Sequence, residues 1–185
     1  MAKHVRLLIV IGILTRTLGS PLTANAQTSL QFDCDAPVDQ FRTEAQMVAL
    51  PITVVGTISP LAMVSKDYVP SASVAIVSED DKNGVGFQVS APADDAPELD
   101  VDYIETQRGI LKETPQGRVP SAGAIPFTLS VSKLGDVTVT VGTMMFTAKF
   151  APVARVKVAA TCTSGHFKYA GSLSNAKAAT ISGTP

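Results

Sequence analysis

Three carboxylates stand at alternate positions in Glu98-Leu99-Asp100-Val101-Asp102. In an extended strand, residues i, i+2 and i+4 project to one face, so this spacing predicts a line of acids along one side of a strand. Two carboxyl groups about 5–5.5 Å apart can act as nucleophile and acid/base in glycoside hydrolysis. That chemistry also needs one of them held protonated by burial or by its neighbours. A half-solvated antiparallel sheet gives the same pattern with no chemistry at all, acids outward and Leu99, Val101 and Tyr103 on the other face. Both readings stay open on the sequence.

Other clusters are less pointed. Glu79-Asp80-Asp81-Lys82-Asn83-Gly84 offers hard oxygen ligands of the kind calcium takes, with Asp80, Asp81 and Asn83 as the candidates and Asp94 and Asp95 joining from a neighbouring loop. The long ligand series of an EF-hand, ending in a distant Glu, is absent, and a polar hairpin explains the run without a metal. No cofactor is otherwise implied. Tyr103, Asp94 and Asp95 are the candidate binding residues. Past the N-terminal segment His166 is the only histidine, with Ser164 nearby but no Gly-x-Ser-x-Gly elbow. Gly84-Val85-Gly86 precedes no helix and so is no phosphate loop, and Met144-Met145-Phe146 reads as core packing.

The elements that must position these residues are strands. Period-two alternation rich in β-branched residues recurs at 30–34, 52–59, 73–78, 84–90, 98–106, 127–131, 136–141, 143–150 and 155–163, with a shorter candidate at 166–170. Turn signals separate them: Asn83-Gly84, Lys133-Leu134-Gly135-Asp136 and Thr163-Ser164-Gly165. Most prolines fall at strand ends, where the missing N–H costs no ladder bond. Residues 37–47 have room for at most a turn of helix. Roughly ten short strands without helices predict an all-β, two-sheet antiparallel sandwich or a barrel.

The chain begins like an export signal. Lys3, His4 and Arg6 precede the apolar run Leu7–Leu14, and Ala24-Asn25-Ala26 offers small residues for cleavage before Gln27. Eight apolar residues are too few for a spanning helix, which needs about twenty. The expected organisation is a signal over 1–26, a β-sandwich domain over 27–170, and a last strand or loose Ser/Ala/Gly-rich tail over 171–185. Losing Lys3, Arg6 and Arg16 leaves twelve basic and sixteen acidic residues, a net charge of −4. That balance gives no attraction to nucleic acid or anionic lipid, and no later stretch is apolar enough to cross a membrane. An exported product, periplasmic or extracellular, makes the pair Cys34 and Cys162 a predicted disulfide.

Several pieces resemble the concanavalin A-like, or laminin G-like, jelly roll: Val85-Gly86-Phe87-Gln88-Val89, Leu99–Tyr103, Phe127–Val131, the Gly135-Asp136 turn with Val137-Thr138-Val139, and the ending Cys162–Tyr169. The resemblance covers roughly 56–173. Laminarinase- and lichenase-type glucanases share this sandwich and set Glu-x-Asp-x-Glu on one strand. By that likeness Glu98 would be the nucleophile, Asp100 its helper and Asp102 the acid/base. Two departures stand out: the third acid is Asp, one methylene shorter than Glu, and the chain has no tryptophan to platform a sugar. Three functions follow as expectations. They are an exported non-catalytic module binding a glycan or an envelope protein, a glycoside hydrolase, and a self-assembling surface protein whose weakly charged region from Asp136 to Thr163 leaves a strand edge unguarded.

Overall fold

The structure, a computed structural model, describes residues 28–94, 96–151 and 155–175; the predicted signal, Asp95 and most of the Ser/Ala-rich tail lie outside them. Ten strands run in chain order: β1 Thr28–Ala49, β2 Ile52–Met63, β3 Ser71–Ser78, β4 Gly84–Ser90, β5 Glu98–Gln107, β6 Ile110–Pro120, β7 Ile125–Val131, β8 Asp136–Val141, β9 Met144–Lys149 and β10 Arg155–Ser174. Every pairing is antiparallel. Among the described residues no helix is long and apolar enough to cross a membrane.

The hydrogen-bonded order is β6-β5-β4-β3-β10-β2-β7-β8-β9, with β1 along the other side of β10. The first half of β10 pairs with β3 through Val156↔Ser78 to Thr163↔Ser71. Its second half pairs with β2 through Gly165↔Met63 to Ser174↔Thr53. One strand serving two sheets along the same edge must bend between Thr163 and Gly165, and β1 follows it with a register break between Ala36 and Phe41. Two sheets result. One holds β6, β5, β4, β3 and the adjoining halves of β10 and β1; the other holds β9, β8, β7, β2 and the remaining halves.

Alternation decides what lies between the sheets. Val74, Ile76, Phe87, Val89, Leu99, Val101, Val156, Val158 and Ala160 from the first meet Val54, Ile58, Phe127, Leu129, Val139, Phe167 and Tyr169 from the second, all essentially buried. The rings of Phe87 and Phe127 touch across the interface with centroids 5.2 Å apart. Gly56 and Gly171 are register partners beside Phe127; a Cβ on Gly56 would come within 2.6 Å of the Ala170 carbonyl oxygen.

Three contacts hold the corner. Cys34 and Cys162 form the predicted disulfide, with Cα atoms 6.1 Å apart. The Tyr169 hydroxyl donates back across the bend to the Thr161 carbonyl at 2.5 Å. The Asp39 amide donates to Ser164 Oγ at 2.9 Å, and both residues carry positive φ (60° and 48°).

The strand spans agree with the alternation, with four corrections. Residues 37–47 are strand, apart from the bulge, and not a turn of helix. Thr163-Ser164-Gly165 is a bend inside β10 rather than a hairpin turn, so the two expected strands are one. At Asn83-Gly84 the positive-φ residue is Asp81, and the turn is closed by Ser78 N–H bonding the Asn83 carbonyl at 2.7 Å. Finally β6 is a strand despite Pro115 and Pro120; as an edge strand it can lose N–H groups without breaking a ladder.

Replacing both Cys34 and Cys162 by Ser should lower stability by about 4–5 kcal/mol, because the bridge closes a loop of more than a hundred residues. Denaturant unfolding with midpoint and slope fitted separately, since the unbridged chain unfolds to a more expanded state, would measure it; a change below about 1 kcal/mol would mean the bend holds without the bridge.

Candidate functional site

The core side of the acid-bearing sheet fixes which residues face out. Reading the registers across β1, β10, β3, β4, β5 and β6 gives rows on the outer face. One row is Phe41, Thr163, Ser71, Ser90, Asp100 and Arg118; the next is Thr43, Thr161, Ser73, Gln88, Asp102 and Pro115; a third is Ala45, Ala159, Ala75, Gly86, Ile104 and Glu113. Although on an outer face, Thr163 (4%), Thr161 (6%), Ala159 (7%), Ser71 (8%) and Ile104 (8%) are almost inaccessible. The floor is therefore low and small-residued, and the polar ends of Gln88 and Asp102 stand half-buried on it. Thr43 and Thr161 pair their hydroxyls at 2.9 Å.

The three acids do fall on this face, as the spacing predicts, but not in equivalent settings. Arg118 reaches across from β6: its Nε donates to Asp100 Oδ1 at 2.8 Å, and Nη1 lies 4.0 Å from Glu98 Oε2. Arg118 thus answers two of the three negative charges, in solvent where such a pair is worth about 0–1 kcal/mol. Asp102 has no hydrogen-bond donor among the described residues. Burial, then the nearby Glu113 and Asp100 carboxylates, hold its pKa above the ordinary Asp value. The register break between β5 and β6 lies here, with Val101 opposite Gly117 and Asp102 opposite Pro115. It aligns Arg118 with Asp100 and leaves Asp102 facing a residue without an N–H.

Tyr103 projects to the other side of β5, into the sandwich, edge-on to Phe146 with centroids 5.6 Å apart. Its hydroxyl is buried without a partner, and burial, helped by Glu105, pushes its pKa up to about 12. Phe41 is the aromatic of the acid face, 41% exposed on β1, four strands from Asp100. Asp94 sits apart, at one end of the sandwich, in a shallow notch with Pro60, Leu61, Pro97 and Ser121. Its Oδ1 accepts the Ser65 amide at 2.5 Å. Asp95 is outside the described residues.

The calcium candidates are used by their own turn. Asp80 Oδ1 accepts from Ser78 Oγ at 2.7 Å and from the Lys82 amide at 3.1 Å, bonds that lower its pKa. Asp81 is ion-paired with Lys157, and Asn83 Oδ1 accepts the Arg108 amide at 3.4 Å. Among the described residues no group of three His, Cys, Asp or Glu side chains is placed to hold a metal. His166 Nε2 lies 2.5 Å from Asp33 Oδ1 on the second sheet, whereas Ser164 Oγ is turned to the Asp39 amide, so the two do not form a relay.

Sequence reasoning missed Gln88, Thr161 and Arg118. The first two are predictable as strand residues once the register is known. Arg118 was hidden because prolines masked β6 as a strand.

No family model matches this chain, and no curated protein is similar to it in sequence. Its fold is nevertheless shared with solved structures. The β-agarase A of Zobellia galactanivorans aligns over 78% of this chain and 72% of its own, with a TM-score of 0.54 at 7% identity. The CBM2 module of the evolved Dit of Lactobacillus casei BL23 phage J-1 aligns over 82% and 80% (TM-score 0.55, 6% identity). The β-glucanase of Bacillus licheniformis aligns over 85% and 82% (TM-score 0.51, 11% identity). At these identities the likeness is one of fold: the chain is a two-sheet antiparallel jelly roll of the concanavalin A-like type.

The raised pKa of Asp102 makes a signed prediction. Its folded-state pKa exceeds the unfolded one, so the ionised carboxylate costs stability at neutral pH, and that cost vanishes as pH falls below the unfolded value. Asp102→Asn should therefore stabilise the protein at pH 7 and converge with the parent in acid. Thermal melts across pH would check this; a loss at pH 7 would reveal a partner that holds the charge.

Proposed function

We propose that this chain is an exported, non-catalytic glycan-binding module whose ligand lies across the outer face of the acid-bearing sheet. The carrying observation is that face itself. It has a low floor of Thr, Ser, Ala and Gly, with Gln88 and Asp102 rising from it and Arg118 tying Asp100 and Glu98 at its border. Amide, hydroxyl and carboxylate groups on such a floor can meet sugar hydroxyls in both donor and acceptor roles. The pairing of Asp100 with Arg118 speaks against an acid set free for turnover, as do the short third acid and the absence of an aromatic beside it. Two of the structures similar in fold carry the names of a carbohydrate-active enzyme and a CBM module, which supports a glycan as ligand class. The disulfide agrees with an oxidising compartment.

A glycoside hydrolase is the second reading. It rests on Asp102, whose carboxyl is held toward its protonated form beside a second carboxylate.

Screening the full exported chain on a glycan array and against β-glucans separates the two. The proposal predicts binding without turnover, weakened about tenfold by Gln88→Ala, the loss of one or two hydrogen bonds, and unchanged by Asp94→Asn. Turnover abolished by Glu98→Gln would select the hydrolase. No binding to any glycan would overturn both.

A further inference from the structure

Three strand edges end the two sheets, and they are guarded very differently. Along β6, Pro115 lacks an N–H, the register shifts beside it, and Lys112, Glu113 and Arg118 carry charge. Along β1, Pro37 lies in the bulge, and Arg42, Glu44 and Gln46 occupy the core-side register positions opposite buried Cys162, Ala160 and Val158, with the charged Arg42 and Glu44 exposed at the edge. Proline, bulges and inward charges are the usual defences of an edge. The third edge, β9, has no proline, no bulge and no charge at its core-side positions; its one charge, Lys149, stands at its far end and pairs with Asp136 of β8. Met144–Ala148 holds no charge and no proline, its pairing with β8 runs without a shift, and Met145, against the expectation of core packing, is 71% exposed.

We propose that β9 pairs with β9 of a second copy of this chain, making an isologous two-fold dimer with one continuous sheet. The hairpin fixes which groups are free. β8 and β9 are joined by the two-residue turn Gly142-Thr143, with Gly142 at φ +58° and Val141 opposite Met144. The closing pair of such a hairpin is hydrogen-bonded, as is every second pair after it. Val141·Met144, Val139·Phe146 and Val137·Ala148 therefore bond inward, and Met145, Thr147 and Lys149 direct their N–H and C=O groups away from β8.

Those three residues form a self-complementary set. Antiparallel pairing centred on Thr147 sets Thr147 against itself and Met145 against Lys149 of the other copy, matching every outward donor with an acceptor. Sliding one way brings the lysines together; sliding the other runs Lys149 past the partner's turn. The centred register also faces two threonine hydroxyls across the two-fold. This chain already pairs hydroxyls in that manner at Thr43–Thr161 (2.9 Å) and Thr53–Ser130 (3.0 Å). Because β9 belongs to the sheet opposite the acids, the dimer leaves both acid faces open.

Sedimentation of the full exported chain over a range of micromolar concentrations, with variants, tests this. The parent should show a monomer–dimer equilibrium that Met145→Lys shifts to monomer, with a melting temperature matching that of the parent at concentrations where the parent is itself monomeric. Thr147→Cys should oxidise to a covalent dimer, since facing residues of a bonded pair lie about 5.5 Å apart at Cα, within disulfide reach. Thr138→Cys, one strand inward in the same row, should not. A parent monomeric throughout would overturn the proposal. So would a dimer that survives Met145→Lys and leaves Thr147→Cys unlinked, because it would use another surface.

Discussion

The two sheets share β1 and β10, and the corner through which both strands pass decides where every other strand can go. β10 turns it on a run of small residues, Ala159-Ala160-Thr161-Cys162-Thr163-Ser164-Gly165. A Cβ at Gly165 would come within 2.7 Å of the Ala62 carbonyl oxygen, so the backbones meet there without room for a side chain. The Cys34–Cys162 bridge and the Tyr169-to-Thr161 bond tie the two arms, while Asp39 and Ser164 lock the bulged strand onto the bent one. With that corner set, β3 must pair with one arm and β2 with the other, and the remaining strands add outward by hairpins and crossovers. Asp39 extends the lock: its Oδ1 accepts the amides of Asp67 and Tyr68, fastening the β2–β3 connection to the same point.

The acid face inherits its character from this arrangement. Gln88 and Asp102 are half-buried on this face, and burial, followed by the neighbouring Glu113 and Asp100 carboxylates, raises the Asp102 pKa. At the border Arg118 pairs with Asp100 at 2.8 Å and lies 4.0 Å from Glu98. Three acids that look equivalent in the sequence thus divide into an ion-paired set and a desolvated one. That division fits recognition of a polar, uncharged ligand better than a reaction needing two free carboxyl groups across a bond. It also explains why the spacing alone was ambiguous: alternation puts acids on one face but says nothing of what stands in the next strand.

Much of the fold was legible because strand alternation reports burial directly. Leu99, Val101, Phe127, Leu129, Val137 and Val139 are all buried as their pattern implies, and the two cysteines are paired, as expected of an even pair. What failed was punctuation. Ser164 and Gly165 are turn residues by type, yet here they bend a strand; prolines at 115 and 120 read as strand ends, yet an edge strand tolerates them. Residues 37–47 were obscured because Pro37 and the register break between Ala36 and Phe41 interrupt β1. Past the break, polar Arg42, Glu44 and Gln46 stand opposite buried Cys162, Ala160 and Val158, with Arg42 and Glu44 exposed at the edge. The acids of the site were visible for the opposite reason, being regular. Arg118 and Gln88 were not, because their relation to the acids exists only in the register, and the shift at Val101/Asp102 cannot be read from either strand alone.

If the ligand proposed above lies across the outer face of the acid-bearing sheet, its footprint must fall on that face. Amide shift mapping of the full chain with an oligosaccharide that binds it locates that footprint. Perturbations concentrated on β4, β5 and the first arm of β10, with Gln88, Asp102 and Thr161 moving together, are expected of that placement. Perturbations confined to the loops around Asp94, or to the second sheet, would contradict it.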